Sequence, residues 1–202
     1  DEDLQQWNIG SDNVKAKMTY LDESSNRGFA IGTSSQHDFF LRTDNNIGLK
    51  VDINGAVTKP LQPCFRVDSG TQDNVAVTSN VTVLFSSEIF DTNADFNTGT
   101  YTFTAPVTGK YQFEVLLRVA NVDTAYSYIQ MVLVASNRNT TMDTIAPVSN
   151  FMSADGEVSL RGSAILDMDT NDTAYVRIRM QGGTAQADID SDGSYFMGHL
   201  IG

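Results

Sequence analysis

The chain has 202 residues, which accommodates one domain of about 140 residues together with an appendage. Its 25 acidic side chains against 13 basic ones give a formal charge of -12, a surface that repels phosphate backbones, and no basic patch overrides it, so nucleic acid is not an expected partner. The composition is 41% hydrophobic, yet no apolar run reaches the length of a membrane span, and no membrane insertion is expected.

Residues 1–60 are a series of short apolar stretches set between Asn, Asp, Ser and Gly clusters. Trp7-Asn8-Ile9-Gly10, Met18-Thr19-Tyr20-Leu21, Gly28-Phe29-Ala30-Ile31-Gly32, Phe39-Phe40-Leu41-Arg42 and Leu49-Lys50-Val51-Asp52-Ile53 read as short strands joined by tight turns. Ile53-Asn54-Gly55-Ala56 is the clearest hairpin, because Asn-Gly favours the primed turns. Strands this short cannot bury a core as a monomer. Three chains winding around one axis would each supply a wall of a shared interior. The stretch from Gly28 to Pro60 resembles segments that precede the tip domain in bacteriophage and other viral tail fibres, with Asp52, Gly55 and Val57 in a shaft-ending Asp-x-x-Gly-x-Val turn. That resemblance implies a β-rich shaft or connector.

Lys59-Pro60-Leu61-Gln62-Pro63 holds two prolines that stiffen the chain, and the domain boundary is expected there, with a head over 61–202. Cys64 is the single cysteine, so no intrachain disulfide forms, and it reads as a small buried apolar residue. The sequence opens at Asp1 without a secretory leader and is expected to be a processed or C-terminal part of something longer.

A ladder follows. Phe85, Asp91, Phe96, Phe103, Gly109, Tyr111 and Phe113 are separated by five, four, six, five, one and one residues. Within it Thr100–Thr104 and Tyr111–Val115 alternate polar and apolar side chains and read as half-buried strands. Between them Pro106 fixes φ and Gly109 supplies tolerance of positive φ, so the chain reverses. Gln112–Ala120 reads as a long strand with Phe113, Val115, Leu117 and Val119 on one face, and Tyr126–Val134 as the next. After a polar loop over 136–150, Ser163–Asp169, Ala174–Gln181 and Ser194–Ile201 complete the set, with a second loop over 184–193 and with Val176, Ile178 and Met180 pointing inward. No segment has a helical period.

The ladder's spacing is the signature of the C1q globular head family, which this region resembles. The C-terminal run agrees with it: Ile165-Leu166-Asp167-Met168, Val176-Arg177-Ile178 and Ser194-Tyr195-Phe196-Met197-Gly198-His199-Leu200 stand where that family has its closing strands. Asn171-Asp172 replaces the usual Gly-Asp, a mild departure because asparagine tolerates left-handed backbone. The resemblance spans about Phe65 to Gly202. It implies an all-β jelly-roll sandwich of the C1q and tumour-necrosis-factor type that assembles as a homotrimer. Tyr111, Tyr128 and Tyr195 are the candidates to line the contacts between copies, since tyrosine joins a large apolar body to a polar handle.

Chemistry has little to stand on. His37 and His199 are the only histidines, neither in a nucleophile or metal motif, and no enzymatic activity is expected. Asp188-Ile189-Asp190-Ser191-Asp192-Gly193 opens like a calcium loop, but His199 stands where an EF-hand needs its glutamate. The candidate metal site is therefore a looser all-oxygen calcium site at Asp188, Asp190 and Asp192, which relatives of the C1q head also suggest. The combined expectation is a trimeric viral, most simply phage, fibre tip exposed on the virion surface. Its partners would be its own copies, other fibre proteins and a host cell-surface glycan or protein. The alternatives are a structural virion protein whose head drives trimerisation and caps the shaft, and a secreted C1q-like recognition protein. The last is disfavoured by the absence of a Gly-X-Y stalk.

Overall fold

The computed structural model describes residues 2–9, 14–22, 25 and 27–202. The chain divides into two compact units, Asp1–Leu61 and Gln62–Gly202.

In the first unit β1 (Glu2–Ile9), β2 (Val14–Asp22) and β3 (Arg27–Thr33) form an antiparallel sheet, and β4 (Phe39–Thr43), β5 (Asn46–Val51) and β6 (Val57–Thr58) form a second. The expected stretches fall on these strands, except that Gly10 lies outside the described residues and Asp52 and Ile53 lie beyond the end of β5. The β4–β5 hairpin carries the primed turn: Asp44 and Asn45 have φ of 46° and 61°, and Thr43 pairs with Asn46. Sequence reasoning placed that turn at Asn54-Gly55 instead. There only Gly55 is left-handed, at φ 85°, and its N–H donates to the Asp52 carbonyl (2.9 Å). The Asp52 carboxylate accepts from the N–H groups of Asn54 and Ala56 (2.8 Å each), so the loop is an Asp-braced turn of ordinary hand with glycine after it. Hydrogen bonds to the Ala56 and Asn54 backbone hold the Asp52 carboxyl below its ordinary pKa.

The second unit is a sandwich of two six-stranded sheets. The first runs β10 (Ser87–Asp91), β7 (Cys64–Asp68), β18 (Ala187–Leu200), β13 (Gly109–Val122), β16 (Gly156–Met168), with β8 (Gln72–Val75) also on β18. The second runs β11 (Phe96–Asn97), β12 (Thr102–Thr104), β17 (Thr173–Gly182), β14 (Tyr126–Ala135), β15 (Asn139–Ile145), with β9 (Asn80–Thr82) on β17. A single 3-10 turn spans Val148–Asn150. The alternation read on β13 and β17 holds: Phe113, Val115, Leu117, Val119, Val176, Ile178 and Met180 are all fully buried between the sheets.

The ladder is the core. Phe65 stacks on Phe96 and Phe103 with centroids 5.1 and 5.0 Å apart, and meets Phe196 edge-on at 5.1 Å. Phe103 meets Tyr111 at 5.4 Å and Phe113 at 5.6 Å, arrangements that suit the aromatic quadrupole. Two of the remaining ladder positions, Asp91 and Gly109, have their own reasons. Asp91 Oδ2 accepts the Phe96 N–H (2.7 Å), a bond that needs an Asp or Asn oxygen. Gly109 does not use positive φ as expected. It is required for closeness, because a Cβ there would stand 2.7 Å from Leu200 Cδ1 and 3.2 Å from the Gly202 carbonyl oxygen. Asn171 does adopt the left-handed conformation, at φ 72°.

Three boundaries moved. Tyr101 has φ 59° and sits in a turn, so the strand expected over Thr100–Thr104 begins at Thr102. The polar loop expected over 136–150 contains β15, whose NTTMDTI run shows no alternation because it is an edge strand. The loop expected over 184–193 is largely the first half of β18, where Ala187 and Ile189 are buried.

Asp95 lies beside Asp91 near the ladder. Asp91 Oδ1 and Asp95 Oδ2 are shielded from solvent and lack hydrogen-bond partners. Burial, and then the Asp91 charge, push the Asp95 carboxyl above its ordinary pKa. A raised folded-state pKa stabilises the fold below the unfolded value, and that contribution is lost as pH rises through the folded value. Asp95→Asn is therefore expected to raise the melting temperature at pH 7. The gain should vanish below about pH 4, where the unfolded carboxyl is also protonated. Thermal melts across pH check it.

Candidate functional site

Asp188, Asp190 and Asp192 lie on β18, and the structure gives each carboxylate a protein partner. Asp188 Oδ1 accepts the Asn74 N–H (2.7 Å) and its Oδ2 accepts Asn121 Nδ2 (2.6 Å). Asp190 Oδ1 accepts the Asp192 N–H (2.9 Å), and its Oδ2 is 3.6 Å from Arg118 Nη1. Asp192 Oδ2 is 3.4 Å from the same Nη1. Arg118 is held mainly by Glu157, with Nε to Oε1 at 2.7 Å and Nη2 to Oε1 at 2.6 Å, and that hydrogen bond raises its pKa. Among the described residues no group of three or more His, Cys, Asp or Glu side chains is placed to hold a metal. Asp188, Asp190 and Asp192, the residues of the expected calcium site, are not gathered into such a group. The Arg118 guanidinium lies near both Asp190 and Asp192, and the stretch is strand rather than loop.

The three tyrosines are not brought together. Tyr111 is 0% exposed, in the inward row of β13 with Phe113, and its hydroxyl donates to the Val107 carbonyl (2.7 Å). It is a core residue with no surface for a neighbouring copy, because the Gly-x-Tyr-x-Phe alternation turns Tyr and Phe the same way. Burial raises its pKa. Tyr195 lies on the outer face of the first sheet, where its hydroxyl donates to Glu114 Oε1 (2.7 Å) and the Arg66 guanidinium sits 4.9 Å over its ring. The Glu114 hydrogen bond, then burial, raise its pKa. Tyr128 is half-buried on the second sheet, paired with Gln181.

Two faces remain as candidate surfaces. On the first sheet the outward rows of β7, β18, β13 and β16 bring Tyr195 beside Leu116, and Leu116 beside Arg161. Met197 stands between Glu114 and Arg66. Leu116 and Met197 are half-buried, and Ile165 nearby is exposed. Cys64 belongs to this face rather than to the core, half-buried beside the exposed His199. Burial first, then the Asp91 charge, raise its thiol pKa, the opposite of activation.

On the second sheet the outward row of β17 is Tyr175, Arg177, Arg179 and Gln181, each half-buried. Arg177 lies between Val132 of β14 and Thr82 of β9, and Arg179 between Gln130 and Asn80. Sequence reasoning used the inward half of this strand and passed over its outward half. The signal was present in the same alternation, as two arginines two residues apart.

The C1q domain family model matches residues 64–201. Among solved structures, the globular domain of zebrafish complement 1qA protein is similar, at 19% identity and TM-score 0.51, over 70% of this chain and 98% of that one. The Eiger TNF of S. frugiperda is 13% identical with TM-score 0.52, over 70% of this chain and 93% of that one. Murine APRIL is 10% identical with TM-score 0.50, over 69% and 99%. No curated protein sequence matches the chain. With the jelly roll, its aromatic ladder and a family match over most of its length, the chain belongs to the C1q domain family.

Proposed function

We propose that this chain is the non-enzymatic, homotrimeric tip of a viral fibre, most simply a phage tail fibre, exposed on the virion and attaching it to the host cell surface. The observation that carries this reading is the state of the first unit. Among its side chains described from Lys15 to Leu61, only Thr19 is buried. Tyr20 and Phe29 face each other across β2 and β3, Ile31 lies two residues further on, and the three are 51%, 57% and 55% exposed. Such a face is stable in water when other chains cover it, and three copies winding together would do so. The C1q-type head joined to it supplies a second face for association, the outward rows around Leu116, Met197 and Tyr195. Three identical heads on one tip turn weak contacts into avid ones on a repetitive surface.

Light scattering on the purified protein is the test. A mass of three chains is expected, and a well-folded monomer would end the proposal. Leu116→Glu places a charge in the proposed contact and is expected to shift the species from three chains to one while the circular dichroism spectrum keeps its strand signature. Retention of the trimer would remove this face from the interface. The isolated trimer is further expected to compete with parent particles for adsorption to host cells. No competition at saturation would assign the chain to the structural role of capping the shaft and driving trimerisation.

A further inference from the structure

The outer face of β17 poses a charge problem. Arg177 and Arg179 are two residues apart on one strand face, which sets their Cα atoms about 7 Å from each other. Among the described residues neither forms an ion pair, although the chain has 25 acidic side chains for 13 basic ones. Arg118, Arg66 and Arg27 each have a carboxylate within 3.0 Å. Arg179 Nη2 donates to Gln181 Oε1 (2.8 Å), a neutral acceptor. The Nε atoms of Arg177 and Arg179 are both shielded from solvent without a hydrogen-bond partner. The register positions around them are amides, hydroxyls and apolar groups, with no carboxylate. Two like charges with unpaired donors on one small patch cost stability, and an anion seated across them removes that cost.

The surroundings say which anion. A guanidinium fork matches the two oxygens of a carboxylate. Tyr175 and Tyr128, at the two ends of the patch, present rings with polar tips. Asn80 and Gln130, on either side of Arg179, offer amides that both donate and accept, as sugar hydroxyls require. The net charge of -12 disfavours a long polyanion, and a short saccharide carrying one carboxylate per ring meets less of that repulsion. We infer that the outer face of β9, β17 and β14 binds an acidic saccharide, with its carboxylate on Arg177 and Arg179 and its hydroxyls on Asn80 and Gln130. This gives the host-attachment reading a ligand class and takes its biological sense from that reading.

The test is calorimetric titration of the intact protein with a galacturonic acid oligomer, the same oligomer methyl-esterified, and a sulfated disaccharide. The free acid is expected to bind, and esterification to weaken binding by about tenfold, the loss of one charge-assisted pair. Arg177→Gln with Arg179→Gln is expected to weaken the acid by about tenfold or more, with little change in melting temperature, since the repulsion removed offsets the one bond lost to Gln181. Lys59→Gln with Lys110→Gln, which removes the same charge elsewhere, should leave binding unchanged. Equal binding of acid and ester, equal binding by the paired arginine variant, or tighter binding of the sulfated sugar would each overturn the assignment. The ester comparison needs no variant and so does not depend on folding. A monomer that still binds the acid would sink the fibre proposal alone, and a trimer that does not bind it would sink this one alone.

Discussion

Phe113→Ala is expected to destabilise the jelly roll by about 3–5 kcal/mol, a large part of the roughly 5–15 kcal/mol that holds a domain of this size together. Phe113 is fully buried in the inward row of β13, and its ring centroid lies 5.6 Å from that of Phe103, 5.7 Å from Phe196, 6.3 Å from Tyr111 and 6.4 Å from Phe65. Removing it takes one wall from four other rings. The sandwich draws those rings from several strands, so the cavity cannot collapse by moving one of them. Urea denaturation at fixed protomer concentration measures the loss, which concentration would otherwise confound in an oligomer. Phe151→Ala is the control: that ring is 67% exposed, and its removal should change stability by less than about 0.5 kcal/mol. Equal effects from the two would mean that the aromatic ladder does not organise the core.

Most of the head was legible in the sequence because its core lies on strands buried on one face, where period-two alternation survives. Val176, Ile178 and Met180 could be placed inward from spacing alone. Edge elements were not legible, and β15 is the example: its partner is β14 on one side only, so its polar run carries no hydrophobic register. Tyr111 misled for a different reason. Its hydroxyl suggested a surface, but one hydrogen bond to the Val107 carbonyl satisfies it in the core, and residue type does not reveal that bond. The Asp188–Asp192 stretch read as a loop but is strand, and the partners of its carboxylates, Asn74, Arg118 and Asn121, come from distant elements that spacing does not reveal. The two arginines on β17 are the converse case. Their interest comes from the absence of acidic neighbours on β9 and β14, and only the sheet register makes that absence visible.

Gly198→Val is expected to be nearly as damaging as Phe113→Ala, and through the same rings. A Cβ at Gly198 would stand 2.6 Å from Phe113 Cδ1, 2.8 Å from Phe113 Cε1 and 2.8 Å from Phe65 Cε1. Those atoms belong to rigid rings locked in the stack, so they cannot yield as the end of a flexible chain would. The backbone at Gly198 is not left-handed, so the whole penalty is steric. Forced overpacking of this kind costs about 1–3 kcal/mol for a first methyl, and the branched valine should exceed it. Because the clash is with Phe113 itself, the penalty should shrink when that ring is trimmed. A double-mutant cycle of Gly198→Ala with Phe113→Leu is expected to show coupling of about 0.5–3 kcal/mol, with the double variant more stable than the sum of the single losses. Gly32→Ala, where an added Cβ meets nothing within 4 Å, should cost nothing. Additive losses at Gly198 and Phe113 would show that the glycine serves something other than room for the ring. The Ser-x-Phe-x-Gly-x-Leu strand and the Gly-x-Tyr-x-Phe strand would then be two motifs side by side, rather than the two halves of one contact.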